Sequence, residues 1–373
     1  MDVEDLLARL VAWPTVSSRP VDGILGELAD RLDAVGMRVE RLAADESGKC
    51  NLVCTAGPPG TDGVILSGHL DVVPVEGQPW TSDPFVLTRR DEHLVARGAC
   101  DMKGFVAATV AALARTPPRE LRRELMLIFT YDEEIGCLGS RRLADLFSEQ
   151  GRPTPTLALV GEPTSFQMLR MHPGHAAARI TCRGRAAHSS KPDLGQNAIR
   201  LAARVLDRLE VIAERWRLDR RFSDLLERPF VVMNVATIHG GSAINIVPDR
   251  CVVELGFRPL PGMDPQALFE ELRQEVEPLG AVEAELVRVT PALLTPEGTA
   301  LEAVLRPFAV DPRLGAAAFA TDGGNFERMG VRTIVFGPGS IDVAHKADEF
   351  VPRSELHRAV DIVDEVVGRR CRV

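Results

Sequence analysis

Five short stretches of this sequence carry residues able to do chemistry together. SGHLDVVP (67–74) holds His69 and Asp71, and RGACDMKG (97–104) holds Asp101. TYDEEIGCLGS (130–140) holds Glu133 and Glu134, VGEPT (160–164) holds Glu162, and GPGSIDVAHKADEF (337–350) holds His345. Four of the stretches follow apolar runs, and Asp101 sits in a Gly-flanked turn just before another, FVAATVAAL (105–113). Singly, each has a plain reading. Asp101 would be a helix cap or dipole partner, Asp-Glu-Glu a solvated acidic turn, His69 a satisfied core histidine and His345 a surface one. Their joint recurrence at strand ends and turns argues instead for one shared site.

The chemistry that such residues share is metal binding. His69, Asp101, Glu134, Glu162 and His345 offer only nitrogen and oxygen, which suits Zn²⁺, with Co²⁺ or Mn²⁺ as substitutes. Five ligands are too many for one tetrahedral catalytic ion with an open position. They fit two ions if one carboxylate bridges them, since paired ions in hydrolases lie roughly 3.5–4 Å apart. Glu133 and Glu134 are consecutive, and adjacent side chains of an extended segment point to opposite sides. One can bind metal while the other faces a water. Asp71, two residues beyond His69, falls on the same face and suits a carboxylate orienting the imidazole.

These residues need a scaffold that gathers strand ends. Apolar runs at 64–66, 125–129, 157–159 and 333–336 read as buried strands. Helical patterns at 3–13, 24–35 and 140–147 alternate with strands at 37–42, 51–55 and 85–87. This alternation predicts an α/β fold, a largely parallel sheet with helices on both faces. Ligands bind such sheets at the carboxyl ends of the strands. Near residue 172 the pattern changes. Strands at 175–183, 230–238, 245–259 (interrupted early by Pro248) and 282–290 join helices at 196–218 and 264–276, the latter opened by Asp264 and Pro265. The order β-α-β-β-α-β is the ferredoxin-like plan. Residues 173–290 therefore read as an inserted α+β domain, with 1–172 and 291–373 forming the catalytic domain around it.

Composition excludes other classes. A chain of 373 residues, 45% hydrophobic, exceeds the usual single core. Its net charge of −9 argues against nucleic acid or an anionic membrane surface as partner. No apolar run approaches a membrane span, and MDVEDLLARLVAWP at the start is acidic and amphipathic, unlike a secretory signal. The expected location is cytoplasmic. Seven cysteines, an odd number without CxxC, read as reduced packing residues, Cys100 and Cys137 included. Neither GxGxxG after a strand nor GxxxxGK[ST] occurs, so nucleotide-binding loops are excluded.

Taken together, the five stretches resemble the co-catalytic zinc amidohydrolase and metallopeptidase family, which includes acetylornithine deacetylase, succinyl-diaminopimelate desuccinylase, aminoacylases and glutamate carboxypeptidases. The resemblance implies two zinc ions bridged by Asp101, with His69 and Glu162 completing one site and Glu134 and His345 the other. It implies Glu133 as general base, Asp71 as the acid behind His69, and a cis peptide between Asp101 and Met102. The inserted domain is similar to the family's lid and dimerisation domain. Within it, His188 (in RGRAAHSSKP) matches a histidine that crosses to the partner's active site and stabilises an oxyanion. Asn245 (in GGSAINIVPD) and Arg258 (in FRPLPGM) match substrate-contacting positions, and a guanidinium suits a substrate carboxylate.

The activity implied is amide cleavage of an N-acyl amino acid by a homodimer. It is most similar to the acetylornithine deacetylase branch and hence to arginine biosynthesis, although ATDGGNFERMG (320–330) departs from that branch. Desuccinylase and carboxypeptidase or dipeptidase activities are the alternatives on the same scaffold. A non-catalytic metal-binding protein fits less well, because a structural site needs no spare carboxylate such as Glu133.

Overall fold

Strands without a polar face form the centre of the larger sheet. Every residue of Leu125–Thr130, Val64–His69 and Leu157–Val160 is buried, and only Arg332 is exposed in Arg332–Val335. Strands covered on both faces read this way because neither side meets water. The four lie side by side in that order and pair in parallel. Antiparallel strands extend it, Asn51–Ala56 and Arg38–Leu42 on one side and Leu169–His172 on the other, and the short strands Leu293–Leu294 and Gly315–Ala316 beside Leu169–His172 bring the sheet to nine. This is the α/β architecture expected. The computed structural model describes residues 2–17, 19–222 and 224–372.

The chain divides into two compact units. One comprises Met1–Met171, Leu293–Gly315 and Thr321–Val373; the other comprises His172–Ala292 with Ala316–Ala320. In the first unit, helix Lys103–Leu113 starts immediately after the Asp101 turn and is buried along most of its length. It lies against the end of Leu157–Val160 through Phe105, whose ring occupies the space a side chain at Gly161 would need. Glycine at 161 is thus what allows helix and strand to approach, and it fixes the residue before Glu162.

The second unit carries an antiparallel sheet in the order Val232–Gly240, Arg250–Arg258, His175–Arg183, Val282–Thr290. Helices Ala198–Leu218 and Pro265–Val276 pack on it through Ile180, Val205, Leu209, Ile212, Phe269 and Leu272. Chain order and strand order match the ferredoxin-like plan. Asn197 caps the first helix by accepting from Ile199 and Arg200 N–H, and Asp264 caps the second through Gln266 N–H.

Some boundaries differ from the sequence reading for local reasons. The strand expected at 85–87 is a turn, because Asp83 accepts the Phe85 N–H at 2.9 Å and draws the backbone out of extension. The neighbouring strand is Thr88–Arg90. The strand expected from 245 starts at Arg250, beyond Pro248, which cannot donate to a ladder. The helix expected at 140–147 runs Leu138–Gln150 and stops at Gly151, whose φ of +58° suits glycine. All seven cysteines are free and buried. Among the described residues no helix is long and apolar enough to cross a membrane.

Replacing Gly161 with alanine should cost stability by overpacking, about 1–3 kcal/mol, and should displace Glu162. Urea unfolding of Gly161→Ala checks this; an unchanged midpoint would show that Phe105 moves aside freely.

Candidate metal centre

The carboxyl ends of the four parallel strands supply the site. His69 is the last residue of Val64–His69, Glu133 and Glu134 follow Leu125–Thr130, Glu162 follows Leu157–Val160, and the segment after Arg332–Val335 leads to His345. Asp101 enters from the turn before helix Lys103–Leu113, and its peptide bond to Met102 is cis.

Asp101 stands between two imidazoles. Its Oδ1 is 3.0 Å from His69 Nε2 and its Oδ2 is 3.2 Å from His345 Nε2. His345 Nε2 also lies 2.9 Å from Glu134 Oε2, and His69 Nε2 lies 3.9 Å from Glu162 Oε1. Ligand atoms of His69, Asp101 and Glu134 lie within 4.8 Å of one another, as do those of His69, Glu133 and Glu162. The five candidate ligands and Glu133 are therefore brought together. Glu162 groups with Glu133 as well as with His69, a closer neighbourhood than the resemblance implied. His69 and the carboxylates are buried, whereas His345 is half exposed, with φ of +62°.

Electrostatics follow from crowding acids away from water. Burial holds the Glu133 and Glu162 carboxyls well above the usual range; nearby carboxylates add to this, including Asp322 for Glu133 and Asp101 for Glu162. Glu134 is raised by burial and by Asp101. For Asp101 the burial penalty is outweighed by the two histidines, which hold it below its usual value. Hydrogen bonds to Asp101 and Glu134 push His345 up to about 10. Four clustered acids, Asp101, Glu133, Glu134 and Glu162, thus share two imidazoles. The donor set, its N/O chemistry and its excess negative charge fit divalent cations.

Surrounding groups hold this cluster in place. His69 Nδ1 donates to the Asp71 backbone carbonyl at 2.9 Å, which leaves Nε2 facing Asp101. The Asp71 carboxylate was expected to orient that ring, but it lies 3.7 Å away. It accepts instead from Ser17 Oγ and from the backbone N–H of Glu133 and Glu134 at 2.8, 3.0 and 3.2 Å. Asp71 therefore fixes the Glu133–Glu134 turn. Cys137, expected only to pack, also donates its thiol to Glu133 Oε1 at 3.3 Å.

Three acids or bases here escaped the sequence reading. Glu349 Oε1 accepts the N–H groups of Cys100 and Asp101 at 2.9 and 3.0 Å, and its Oε2 meets Arg97 Nη1 at 2.5 Å. Arg97 continues to Gln78 Oε1 at 2.6 Å, and Gln78 Nε2 donates to the His345 carbonyl at 2.9 Å. One chain of bonds thus ties the Asp101 turn to the His345 loop. Asp322 accepts from Ser140 and Thr130 hydroxyls at 2.5 and 2.6 Å beside Glu133 and Cys137. The available signal was charge within the motifs themselves: Arg97 opens RGACDMKG and Glu349 lies four residues after His345.

His188, Asn245 and Arg258 belong to the second unit. His188 and Asn245 are exposed neighbours, with Ser189 N–H donating to the Asn245 carbonyl at 3.0 Å. Ser190 N–H and hydroxyl both meet His188 Nδ1, at 3.1 and 2.7 Å, which leaves Nε2 to carry the proton in the neutral ring. Arg258 lies elsewhere, at the far end of strand Arg250–Arg258.

The family described as "Peptidase family M20/M25/M40" matches residues 65–369. An acetylornithine deacetylase from Myxococcus xanthus is 35% identical, covering 98% of this chain and 96% of its own. An M20 family metallo-carboxypeptidase from Sulfolobus solfataricus has the same fold, with a TM-score of 0.79, 18% identity, and coverage of 98% of this chain and 99% of its own. A Bacillus subtilis structure described as a dinuclear metal binding peptidase superposes with a TM-score of 0.69 at 15% identity, covering 98% and 96%.

Glu349→Gln would leave Arg97 buried without its counter-charge. Loss of one partner of a buried pair costs about 3–5 kcal/mol, and loss of a group positioning a ligand typically lowers metal affinity ~10–100-fold. Denaturant unfolding and zinc titration of metal-stripped protein should show both losses together.

Proposed function

This chain belongs to the M20/M25/M40 peptidase family and is a metal-dependent hydrolase of amide bonds; from that premise we propose that it removes the acyl group of an N-acyl amino acid at a dinuclear zinc centre. The observation carrying this reading is the Asp101 carboxylate, with one oxygen facing each of two imidazoles. A bridging ligand needs such a two-sided carboxylate. His69 and Glu162 would complete one ion's ligands, and Glu134 and His345 the other's, with Co²⁺ or Mn²⁺ able to substitute. When bound, the ions would polarise the amide carbonyl and make a water acidic enough to attack near neutral pH.

The remaining work falls to the protein's own groups. Glu133 ligates neither ion in this reading and acts as general base. Its raised affinity for protons lets it take one from the attacking water and pass it to the departing amine nitrogen. Asp71 aims it by holding its backbone N–H, and the Cys137 thiol holds one of its oxygens. His188 carries its proton on Nε2 and would donate to the carbonyl oxygen as that oxygen becomes negative. Arg258 would hold the substrate carboxylate. The products are a free amino acid and, for acetyl substrates, acetate. N-acetyl amino acids are the substrates to assay first, in keeping with the Myxococcus relative's name.

The spacing of His188 and Arg258 supports a homodimer. His188 pairs with Ile246 just before strand Arg250–Arg258 begins, and Arg258 ends that strand. Eight steps of an extended chain separate the two ends by roughly 27 Å. A small substrate cannot touch both from one chain, so a site using both draws His188 and Asn245 from the partner. Ile244, fully exposed in the same loop, supplies an apolar contact for such an interface.

Zinc-reconstituted protein should hold two ions per chain, and chelation should abolish hydrolysis; metal analysis finding only one would remove the bridging role of Asp101. Glu133→Gln should lower kcat by ~10²–10⁴ with metal content retained. Equal mixtures of Glu133→Ala and His188→Ala chains, allowed to exchange subunits, should regain about a quarter of normal activity under a closed two-fold dimer. Complete exchange without recovery would mean each His188 serves its own chain.

A further inference from the structure

Arg258 is a cation without a counter-ion. Its guanidinium is half-buried, and among the described residues no hydrogen bond or ion pair reaches it. Burial lowers its affinity for protons, with no neighbouring charge opposing the effect. A partly buried guanidinium with donors not taken up by the chain is a ready anchor for an anion.

It faces a cavity of about 390 Å³ within the second unit. The other walls include Leu225, Phe230, Leu260 and Ala317. Leu260 and Ala317 are buried, while Leu225 and Phe230 are half-buried. Further positive charge stands close by. The guanidiniums of Arg217 and Arg220 lie 5.8 and 5.9 Å from the Phe230 ring centre, and Arg228 is at the rim. The rim's one carboxylate, Glu227, is 84% exposed and lies 3.5 Å from Arg228. The cavity therefore presents one anion-binding point, hydrocarbon walls and a cationic border.

We propose that this cavity binds a carboxylate on Arg258 with an uncharged apolar side chain against Leu225, Phe230 and Leu260, so that the preferred substrates are N-acyl derivatives of neutral apolar amino acids. This rests on the reading of Arg258 as the carboxylate-binding residue. An ammonium-bearing side chain, as in N-acetylornithine, would lose water against leucine and phenylalanine, and the nearby acids Glu214 and Glu227 already face Arg217 and Arg228 at 2.9 and 3.5 Å. An isobutyl side chain would gain from the same walls.

The test compares N-acetyl-L-leucine with N-acetyl-L-ornithine in two ways. Calorimetric titration into the zinc-loaded Glu133→Gln protein measures binding without turnover, and kcat/KM of the zinc-loaded wild type measures selection. The leucine derivative should bind at least about tenfold tighter and be selected by a similar factor, the range a hydrophobic pocket achieves. Leu225→Asp, at a half-buried wall position, should shrink or reverse the preference. Arg258→Ala should weaken leucine-derivative binding, whereas N-acetyl-L-leucinamide binding should stay unchanged. Equal or tighter binding of the ornithine derivative would overturn the inference, as would a Leu225→Asp protein, folded by its melting curve, with an unaltered ratio. The binding preference without hydrolysis of any N-acyl amino acid would sustain the cavity assignment and reject the proposed activity.

Discussion

Everything at this centre depends on where one small carboxylate points. Both oxygens of Asp101 are committed, one to each histidine, so rotating the group breaks a contact on either side. Its position is set from behind. Glu349 holds the Asp101 N–H, Arg97 holds Glu349, and Gln78 carries the connection to the His345 carbonyl. Asp101 and one of the two histidines are thereby fixed by the same buried ion pair. A displacement of either would be felt by both.

The other buried acids divide according to their donors. Asp71 accepts three hydrogen bonds, Asp322 accepts two from hydroxyls, and Glu349 has two backbone N–H groups and Arg97. Those are acids supplied with hydrogen-bond donors by the fold itself. Glu162 has no hydrogen-bond donor among the described residues, and Glu133 has only a thiol. The uncompensated acids are the ones facing the middle of the cluster, where burial raises their proton affinity most clearly. A fold with donors to spare for Asp71 leaves Glu162 without one, which is what the proposed role of Glu162 as a metal ligand requires.

Much of this arrangement was legible because strand ends write themselves into sequence. Runs such as LMLIFT and VILSGH have no alternating polar face, so they announce buried parallel strands, and the residues that follow them must lie at one edge. The β-α-β-β-α-β order was equally plain from Asp264-Pro265 and the helical spacing of Val205, Leu209 and Ile212. What sequence could not give was partnership across long separations. Glu349 and Arg97 are 252 residues apart, and neither has a local pattern announcing the other. The Asp71 carboxylate was assigned to His69 because the two are near in sequence, yet it serves Glu133 and Glu134 across 62 and 63 residues. Strand 85–87 failed for the opposite reason: a contact only two residues long, Asp83 to Phe85, overrode an apolar run.

Charge is sorted between the two units in a way that orders events. The first gathers acids, while the second holds the residues assigned to substrate, among them an unpaired guanidinium. An N-acyl amino acid is itself an anion. It would be repelled by the four clustered acids until divalent cations offset them, and it would be attracted by Arg258 at any stage. Under the proposed function, metal loading would be the step that makes the acidic centre hospitable to substrate. The contribution proposed for Arg258 is then selective: it would favour a free carboxylate, and the walls around it would decide which side chain accompanies that carboxylate. The proposed function thus rests on two opposite needs, one set by acids lacking a cation in the first unit and the other by a cation lacking an acid in the second.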